Sequence, residues 1–363
     1  MTERELYADR SWSGRAAVRL TDRALTAGGR TMPLAELNLV ATAEAYLRGR
    51  WLGGGGAERP LAALGRGRDG RGVVPVIRIS GSVRPVKTRR ADEFARAYGD
   101  LAVHVSGGPQ AVAEAARQAE AEGVPLWMAR RAAPGPVLVA VDRRLVRADV
   151  WATGPDGRVT AARLRGPYGL TVRALRASNE PPLTVTVGER PARLVVQRGW
   201  RRSQRAVVVE SLLGTWVLRR QDGRSSRLLR EERPVALITR PDPRTPRNAT
   251  LLPLAGVRHE SPEALDAVMA HFFGTVCGLG DETGTLRFGV VRPLPEPDEE
   301  VTWEMPWFTG LGSDSSDSGP GGGGDGWGSG DGGGGDGGSG GGGGSGDGGG
   351  GGGDGGGGGG GGD

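Results

Sequence analysis

The segment from Ser261 to Leu279 has the clearest hydrophobic pattern of the chain. Its large apolar residues recur at spacings of three and four, which predicts one apolar face of a helix. These residues are Leu265, Val268, Met269, Phe272, Phe273 and Val276. Ser261 is placed to cap the first turn, and Pro262 fits the first helical position. We expect a core helix over residues 262–278, with its apolar face buried against strands between residues 183 and 240.

Short apolar runs separated by turn residues predict β-strands before this helix. Residues 16–37 form a predicted strand, turn and strand, because Gly28 and Gly29 accept the positive φ of a tight turn. The other elements predicted in the first third of the chain are strands at 73–80 and 101–105 and a helix at 110–122. Residues 38–47 fit a helix through their alanines and a strand through their alternation.

The order of these elements resembles that of a bacterial PH-like domain. LTDRALTAGGRTMPLAEL is similar to the opening hairpins of that family. The helix Pro109–Glu122, after the predicted strand 101–105, is similar to the helix that caps such a barrel. The resemblance covers roughly residues 1–125 and implies a small β-barrel used for binding rather than catalysis. It carries over no phosphoinositide site, because no basic hairpin motif matches.

The second half of the chain reads as a run of short strands. Ala132-Ala133-Pro134-Gly135-Pro136 is the predicted domain boundary. Gly154-Pro155-Asp156-Gly157 predicts a hairpin, since proline sets the first turn position and glycine accepts positive φ. Strands are predicted at 137–141, 150–153, 159–164, 183–187, 192–196, 206–209, 215–218, 226–229, 235–238 and 285–291. Spacings near ten residues indicate an antiparallel sandwich or barrel.

A sheet that covers a helix with so wide an apolar face is expected to wrap around it. This arrangement is loosely similar to the tubby-like and LURP-one-like barrels, which enclose a hydrophobic helix. The predicted fold class is therefore α+β, mainly antiparallel β. It comprises a β-rich PH-like domain at 1–131 and an antiparallel β domain at 137–292 that holds the core helix.

The end of the chain has no core-forming pattern. Residues 293–312 are proline-rich and acidic, and we expect a linker. Residues 313–363 consist almost entirely of Gly, Asp and Ser, so they bury too little apolar surface to offset the ordering entropy. A disordered tail is predicted there.

Charge is spread unevenly along the 363 residues. The formal net charge is +5, and the eight aspartates of residues 313–363 leave +13 on the preceding residues. A basic body indicates an anionic partner. However, only Lys87 among the 47 basic residues is a lysine. This arginine bias is typical of a GC-rich coding sequence, which raises the charge without selection for phosphate binding.

Several chemistries are disfavoured by the sequence. Cys277 is the only cysteine, so neither a disulfide within the chain nor a cysteine zinc site is expected. The three histidines lie in different predicted elements, and His271 is expected at the polar edge of the helix. No metal, cofactor or catalytic residue is predicted. The start lacks the apolar region of a secretory signal and no run of eighteen apolar residues exists, so we expect a cytoplasmic protein without a transmembrane segment.

The segment 198–205, RGWRRSQR, carries the strongest functional signal. Its arginines could grip phosphates while its tryptophan stacks on a base or a headgroup. The candidate anion-binding residues are Arg198, Trp200, Arg201, Arg202 and Arg205. The competing interpretation is a solvated loop whose tryptophan packs against the sheet.

Two function classes stay open. The first is a non-catalytic binding or scaffold protein whose partner is an unknown protein or peptide. The alternative is binding of an anionic ligand, nucleic acid or acidic lipid, through the arginine-rich loop around Trp200. A continuous arginine face favours the second class, whereas arginines paired with acids favour the first.

Overall fold

The computed structural model describes residues 3–288 except 11–15, 65–71, 143–145, 168–169, 171, 242–250 and 252. Of the described residues, 28% are helical and 42% lie in strands, nearly all antiparallel. The fold therefore belongs to the predicted β-rich α+β class. The predictions for 293–312 and 313–363, and the last part of the predicted strand 285–291, lie outside the described residues.

A four-stranded antiparallel meander opens the described part of the chain. Its strands are β1 (Glu5–Arg10), β2 (Ala16–Thr21), β3 (Ala24–Ala27) and β4 (Arg30–Pro33), paired in that order. Gly28 and Gly29, with φ of 54° and 73°, make the turn between β3 and β4. The strand, turn and strand predicted over 16–37 are confirmed.

Three helices and two hairpins follow this meander. They are α1 (Leu39–Leu47), β5 (Arg50–Leu52), β6 (Glu58–Pro60), β7 (Gly72–Ile77), β8 (Val83–Thr88), α2 (Ala91–Val105) and α3 (Pro109–Glu122). Asn38 caps α1 by accepting from the backbone N–H of Ala41, so the helical alternative for 38–47 is right. Gly123, with φ of 65°, ends α3, and the helix predicted there is confirmed.

The strand predicted at 101–105 is wrong, because these residues form the last turn of α2. Its buried positions are Ala91, Phe94, Ala95, Tyr98, Gly99, Leu101 and Ala102, which share one face of a single helix. Residues 101–105 resemble a strand only when the preceding helical turns of α2 are not considered. This correction also removes the strand that supported the PH-like resemblance at that point.

Eleven consecutive antiparallel strands form one large sheet within the described residues. They are β9 (Ala129–Ala132), β10 (Val137–Asp142), β11 (Arg147–Thr153), β12 (Val159–Arg165), β13 (Thr184–Val187), β14 (Arg190–Gln197), β15 (Ala206–Ser211), β16 (Gly214–Arg220), β17 (Ser225–Arg230), β18 (Arg233–Thr239) and β19 (Gly256–His259). A short helix, α4 (Val172–Ala177), lies between β12 and β13. Each strand pairs with its neighbours in sequence, and the described sheet ends at β9 and β19. The closed-barrel alternative is therefore wrong for the described part of the chain.

The proposed domain boundary at Ala132–Pro136 is the turn of the β9–β10 hairpin. The N–H of Ala133 donates to the carbonyl of Val137 at 2.8 Å, and Gly135 has a φ of 77°. Proline and glycine thus make a tight turn here and not a linker, since both flanking strands belong to one sheet. The two largest buried clusters among the described residues nevertheless lie on either side of this region, one over 7–112 and the other over 129–288. The division into two domains stays a prediction.

The predicted core helix is α5 (Ala264–Val276), and its large apolar side chains are buried except for the half-buried Leu265. It packs against β10, β11 and β12 near one end of the sheet and against β18 and β19 at the other. The sheet therefore curls around the helix. The prediction that the helix is buried against strands between 183 and 240 is right in part, since β18 and Trp216 of β16 contact α5. It missed β10, β11, β12 and β19, because strand order from the turns does not fix which strands face the helix.

The start of α5 also differs from the prediction. Glu263 and not Ser261 is the N-cap residue, and it makes no side-chain cap. The Ser261 hydroxyl instead donates to the buried carboxylate of Asp266 at 2.6 Å. The indole Nε1 of Trp216 on β16 donates to the same carboxylate at 2.9 Å. A buried polar link therefore joins the first turn of the helix to the middle of the sheet.

Candidate anion-binding site

The segment Arg198–Arg205 connects β14 to β15 as a tightly held loop. The Gln204 side chain accepts from the N–H of Arg201 at 3.2 Å, and the N–H of Gln204 donates to the Arg201 carbonyl at 3.0 Å. Gly199 lies so close to Gln204 that a Cβ at position 199 would clash with it. The loop backbone is therefore fixed from within, and Trp200 stands at its tip.

Trp200 is 98% exposed, whereas Trp51 and Trp216 are buried in the two main cores. It is the only aromatic residue among the large hydrophobic side chains exposed in the described structure. The interpretation in which Trp200 packs against the sheet is therefore wrong. Because a solvated indole exposes a large apolar surface, its placement on a rigid loop is typical of a contact residue.

Arg198 has a structural role in this loop. Its guanidinium donates to the carbonyls of Leu175 at 3.0 Å and Ser178 at 2.7 Å, and also to the carbonyl of Arg176. These carbonyls lie at the C-terminal end of α4, where helical acceptors lack intrahelical donors and attract cations. Arg198 therefore ties the loop to α4, and its donors are already engaged.

The other three candidate arginines differ in how free they are. Arg202 forms an ion pair with Asp281 at 3.3 Å. Arg205 is half-buried, and its Nε donates to the Gly199 carbonyl at 3.4 Å. The Arg201 side chain is exposed and, among the described residues, has no acidic partner. Of these three arginines, the exposed one that has no acidic partner in the described structure is therefore Arg201, which directly follows Trp200 in the chain.

The turn Gly280–Glu282 after α5 brings further arginines to the same end of the sheet. Asp281 pairs with Arg220 at 2.7 Å as well as with Arg202. Arg240 donates to the Leu279 carbonyl at 2.6 Å and lies 3.7 Å from Glu282. Burial lowers the pKa of the Arg240 guanidinium, although Asp281 raises it. These contacts join residues that are distant in sequence, so the loop motif alone did not reveal them.

The charges that meet at this end of the sheet are unbalanced. The arginines are Arg198, Arg201, Arg202, Arg205, Arg220, Arg224, Arg240 and Arg287, and the acids are Asp222, Asp281 and Glu282. Eight cations and three anions leave five positive charges on these described segments. The surface is therefore basic, although several of its arginines are paired. We refer to Trp200, Arg201, Arg202, Arg220 and Asp281 as the Trp200 surface.

No group of three His, Cys, Asp or Glu residues in the described ranges is placed to hold a metal ion. Burial raises the pKa of the Cys277 thiol. His271 is buried and not at a polar edge, with its ring centroid 5.5 Å from that of His259. The helix is enclosed on both sides by the curled sheet, which the helical pattern alone could not show.

Comparisons with family models, with curated proteins and with solved structures give no match to this chain. Within the described residues, no helix is long and apolar enough to cross a membrane. A functional interpretation therefore depends on the chemistry of the Trp200 surface itself.

Proposed function

We propose that this chain is a non-catalytic binding protein that attaches to an anionic membrane surface through the Trp200 surface. The observation that carries the proposal is the 98% exposure of Trp200 at the tip of a fixed loop, beside the unpaired guanidinium of Arg201. Tryptophan favours the bilayer interface, where its ring is apolar and its N–H stays hydrated. Each nearby arginine adds about 1 kcal/mol of attraction to acidic headgroups.

A nucleic acid is the second source of phosphate that this chemistry would accept. Proteins that bind single strands stack successive bases on several aromatic side chains along a groove. In the described structure, Trp200 is the only exposed large aromatic residue, and it lies on a protruding loop. This arrangement offers one stacking position at most, and it therefore favours a membrane.

Vesicle flotation tests the proposal. The full-length chain is mixed with phosphatidylcholine vesicles that contain about one third phosphatidylserine, and with vesicles of phosphatidylcholine alone. We expect binding to the acidic vesicles that weakens as salt rises, because exposed charges are screened beyond about 10 Å at 0.1 M salt. Trp200→Ala should weaken this binding at least tenfold. Replacement of Arg201 and Arg202 together by Gln should weaken it roughly 30-fold, from about 2 kcal/mol.

Leu212→Ala is the matched control. Leu212 is 82% exposed in the turn between β15 and β16, at the opposite end of β15 from the Trp200 loop. The Leu212→Ala substitution should leave vesicle binding unchanged.

A single-stranded oligonucleotide of twenty thymidines tests the nucleic-acid alternative. If the chain binds this oligonucleotide through Trp200 and ignores acidic vesicles, the nucleic-acid alternative is right. If Trp200→Ala changes neither binding, the loop has no anionic partner and the scaffold hypothesis is favoured.

A further inference from the structure

A cleft of about 460 Å³ lies between the helices of the first half of the chain and the start of the large sheet. All of these elements belong to one compact unit. Most of its lining is apolar, from Ala41 and Leu52 on one side to Ala119, Val124 and Leu126 on the other. A volume of this size is typical of pockets that enclose a small organic molecule. The cleft is remote in sequence from the Trp200 loop, and its interpretation does not depend on the proposed function.

One wall of the cleft is a stacked pair of side chains. The guanidinium carbon of Arg147, at the start of β11, lies 5.6 Å from the ring centre of Trp127. Gly56 backs the same indole, and a Cβ at position 56 would collide with its Nε1. The ring is therefore held in place, and it presents a flat surface beside a cation.

Arg147 has no direct ion-pair partner in the described part of the chain. Among the described residues its guanidinium has no hydrogen-bond acceptor and no carboxylate within ion-pair distance, and its Nε is buried. Asp149 and Asp142 attract Arg147 only from beyond ion-pair distance, and Oδ1 of Asp149 accepts instead from Arg163 at 2.8 Å and from Arg165 at 2.7 Å. Burial, and then the charge of Arg165, lowers the pKa of Arg147. A half-buried cation of this kind is stabilised when it gains an anionic partner.

The other charged groups of the cleft are engaged or peripheral. Arg48 donates to Glu44 at 2.7 Å and to Glu58 at 3.0 Å, and Arg50 pairs with Glu58 at 2.7 Å, so these four side chains carry no net charge. Glu120 lies on the exposed side of α3. The cation that is left for a ligand is Arg147, next to the indole of Trp127.

We propose that this cleft binds a small organic acid with a flat apolar body. Its carboxylate pairs with Arg147, and its body lies against Trp127 and the apolar floor formed by Leu52, Ala119 and Val124. An acid is favoured over a neutral molecule because an anion supplies hydrogen-bond acceptors together with a charge opposite to that of Arg147.

The test uses 2-naphthoate and its neutral isostere 2-naphthamide as probes, with the full chain and isothermal titration calorimetry. We expect 2-naphthoate to bind at one site and to bind roughly 10- to 100-fold more tightly than the amide, the usual range for a hydrogen-bonded charge. Arg147→Gln should lower the affinity for the acid to about that for the amide, and it should change the affinity for the amide much less. Arg147→Lys should retain part of the preference.

Two further variants keep the test decisive. Ala116 lines the cleft from α3, so Ala116→Leu should fill it and weaken both probes without touching Arg147. Arg158, 89% exposed in the turn between β11 and β12, provides the control, and Arg158→Gln should change nothing. Equal affinities for acid and amide, an unchanged acid affinity in Arg147→Gln, or no saturable binding of either probe at millimolar concentration would each overturn the proposal.

Discussion

His271 should make the protein unstable in acid. This residue lies on α5 and is 2% exposed, and burial lowers the pKa of its imidazole to about 4, with a smaller contribution from the nearby His259. Its Nε2 is buried without a hydrogen-bond partner in the described structure. The unfolded chain, in contrast, protonates this histidine near pH 6.5. Between pH 6.5 and 4 the unfolded state therefore binds one proton more than the folded state.

The sign and size of the effect follow from this difference. Because the unfolded state takes up the proton first, the free energy of unfolding falls as the pH falls from 6.5 to 4. It is unaffected by this residue above pH 7. A pKa difference of about 2.5 corresponds to about 3 kcal/mol. This is a large share of the 5–15 kcal/mol that is typical of a folded domain.

Urea unfolding of the wild type and of His271→Leu, at pH 7.5, 6.5, 5.5 and 4.5, measures this contribution. The stability that is lost when carboxylates are protonated at low pH is the same in both proteins, so it cancels in the difference. We expect the gap between the two stabilities to shift by about 2.5 kcal/mol in favour of His271→Leu between pH 7.5 and 4.5, since the last part of the effect lies below pH 4.5. His259→Gln, which alters an exposed ring whose pKa is also lowered by burial, should change this acid dependence less. A shift of less than about 1 kcal/mol between pH 7.5 and 4.5 would show that His271 is protonated in the folded state.

Three other substitutions test the fold and the Trp200 surface. Phe272→Ala should cost about 3–5 kcal/mol in urea unfolding, since the ring is fully buried, and a loss under about 1 kcal/mol would place the helix at the surface. Gly280→Ala should cost about 2 kcal/mol or more in the same assay, because φ is 61° and the new Cβ would lie 2.5 Å from the Gly223 carbonyl oxygen. An unchanged stability would mean that this turn relaxes. Asp281→Asn should raise acidic-vesicle affinity about fivefold by releasing Arg202, and weaker binding would instead assign Asp281 a positioning role.

Turn chemistry predicted most of the strands, since hairpins depend on residues close in sequence. Gly154–Gly157 illustrates this, because the N–H of Gly154 donates to Arg158 and that of Gly157 donates back to Gly154 in the hairpin that joins β11 to β12. The same signal misled at Pro134–Pro136, where a turn and a linker have the same composition. The residues of this segment are compatible with a turn and with a linker, and only the pairing of β9 with β10 shows that they form a turn.

The sequence pattern did not predict contacts between segments that are distant along the chain. Trp200 and Arg201 were found because they are adjacent in one basic loop, whereas Asp281 pairs with Arg202 and Arg220 across about 80 and 60 residues. The burial of His271 likewise depends on strands from both ends of the sheet. Helical periodicity shows which side of α5 is most apolar, but it does not show that the opposite side is also covered.

The position of α5 along the chain has a consequence during synthesis. The strands β10–β12, which pack against it, leave the ribosome more than 90 residues before the helix does. At 5–20 residues per second, that gap lasts roughly 5–20 s. Throughout this interval the apolar inner face of the sheet has no helix to cover it. A nascent chain arrested before Ala264 should therefore be a chaperone client, and release from the chaperone should coincide with the emergence of Val276.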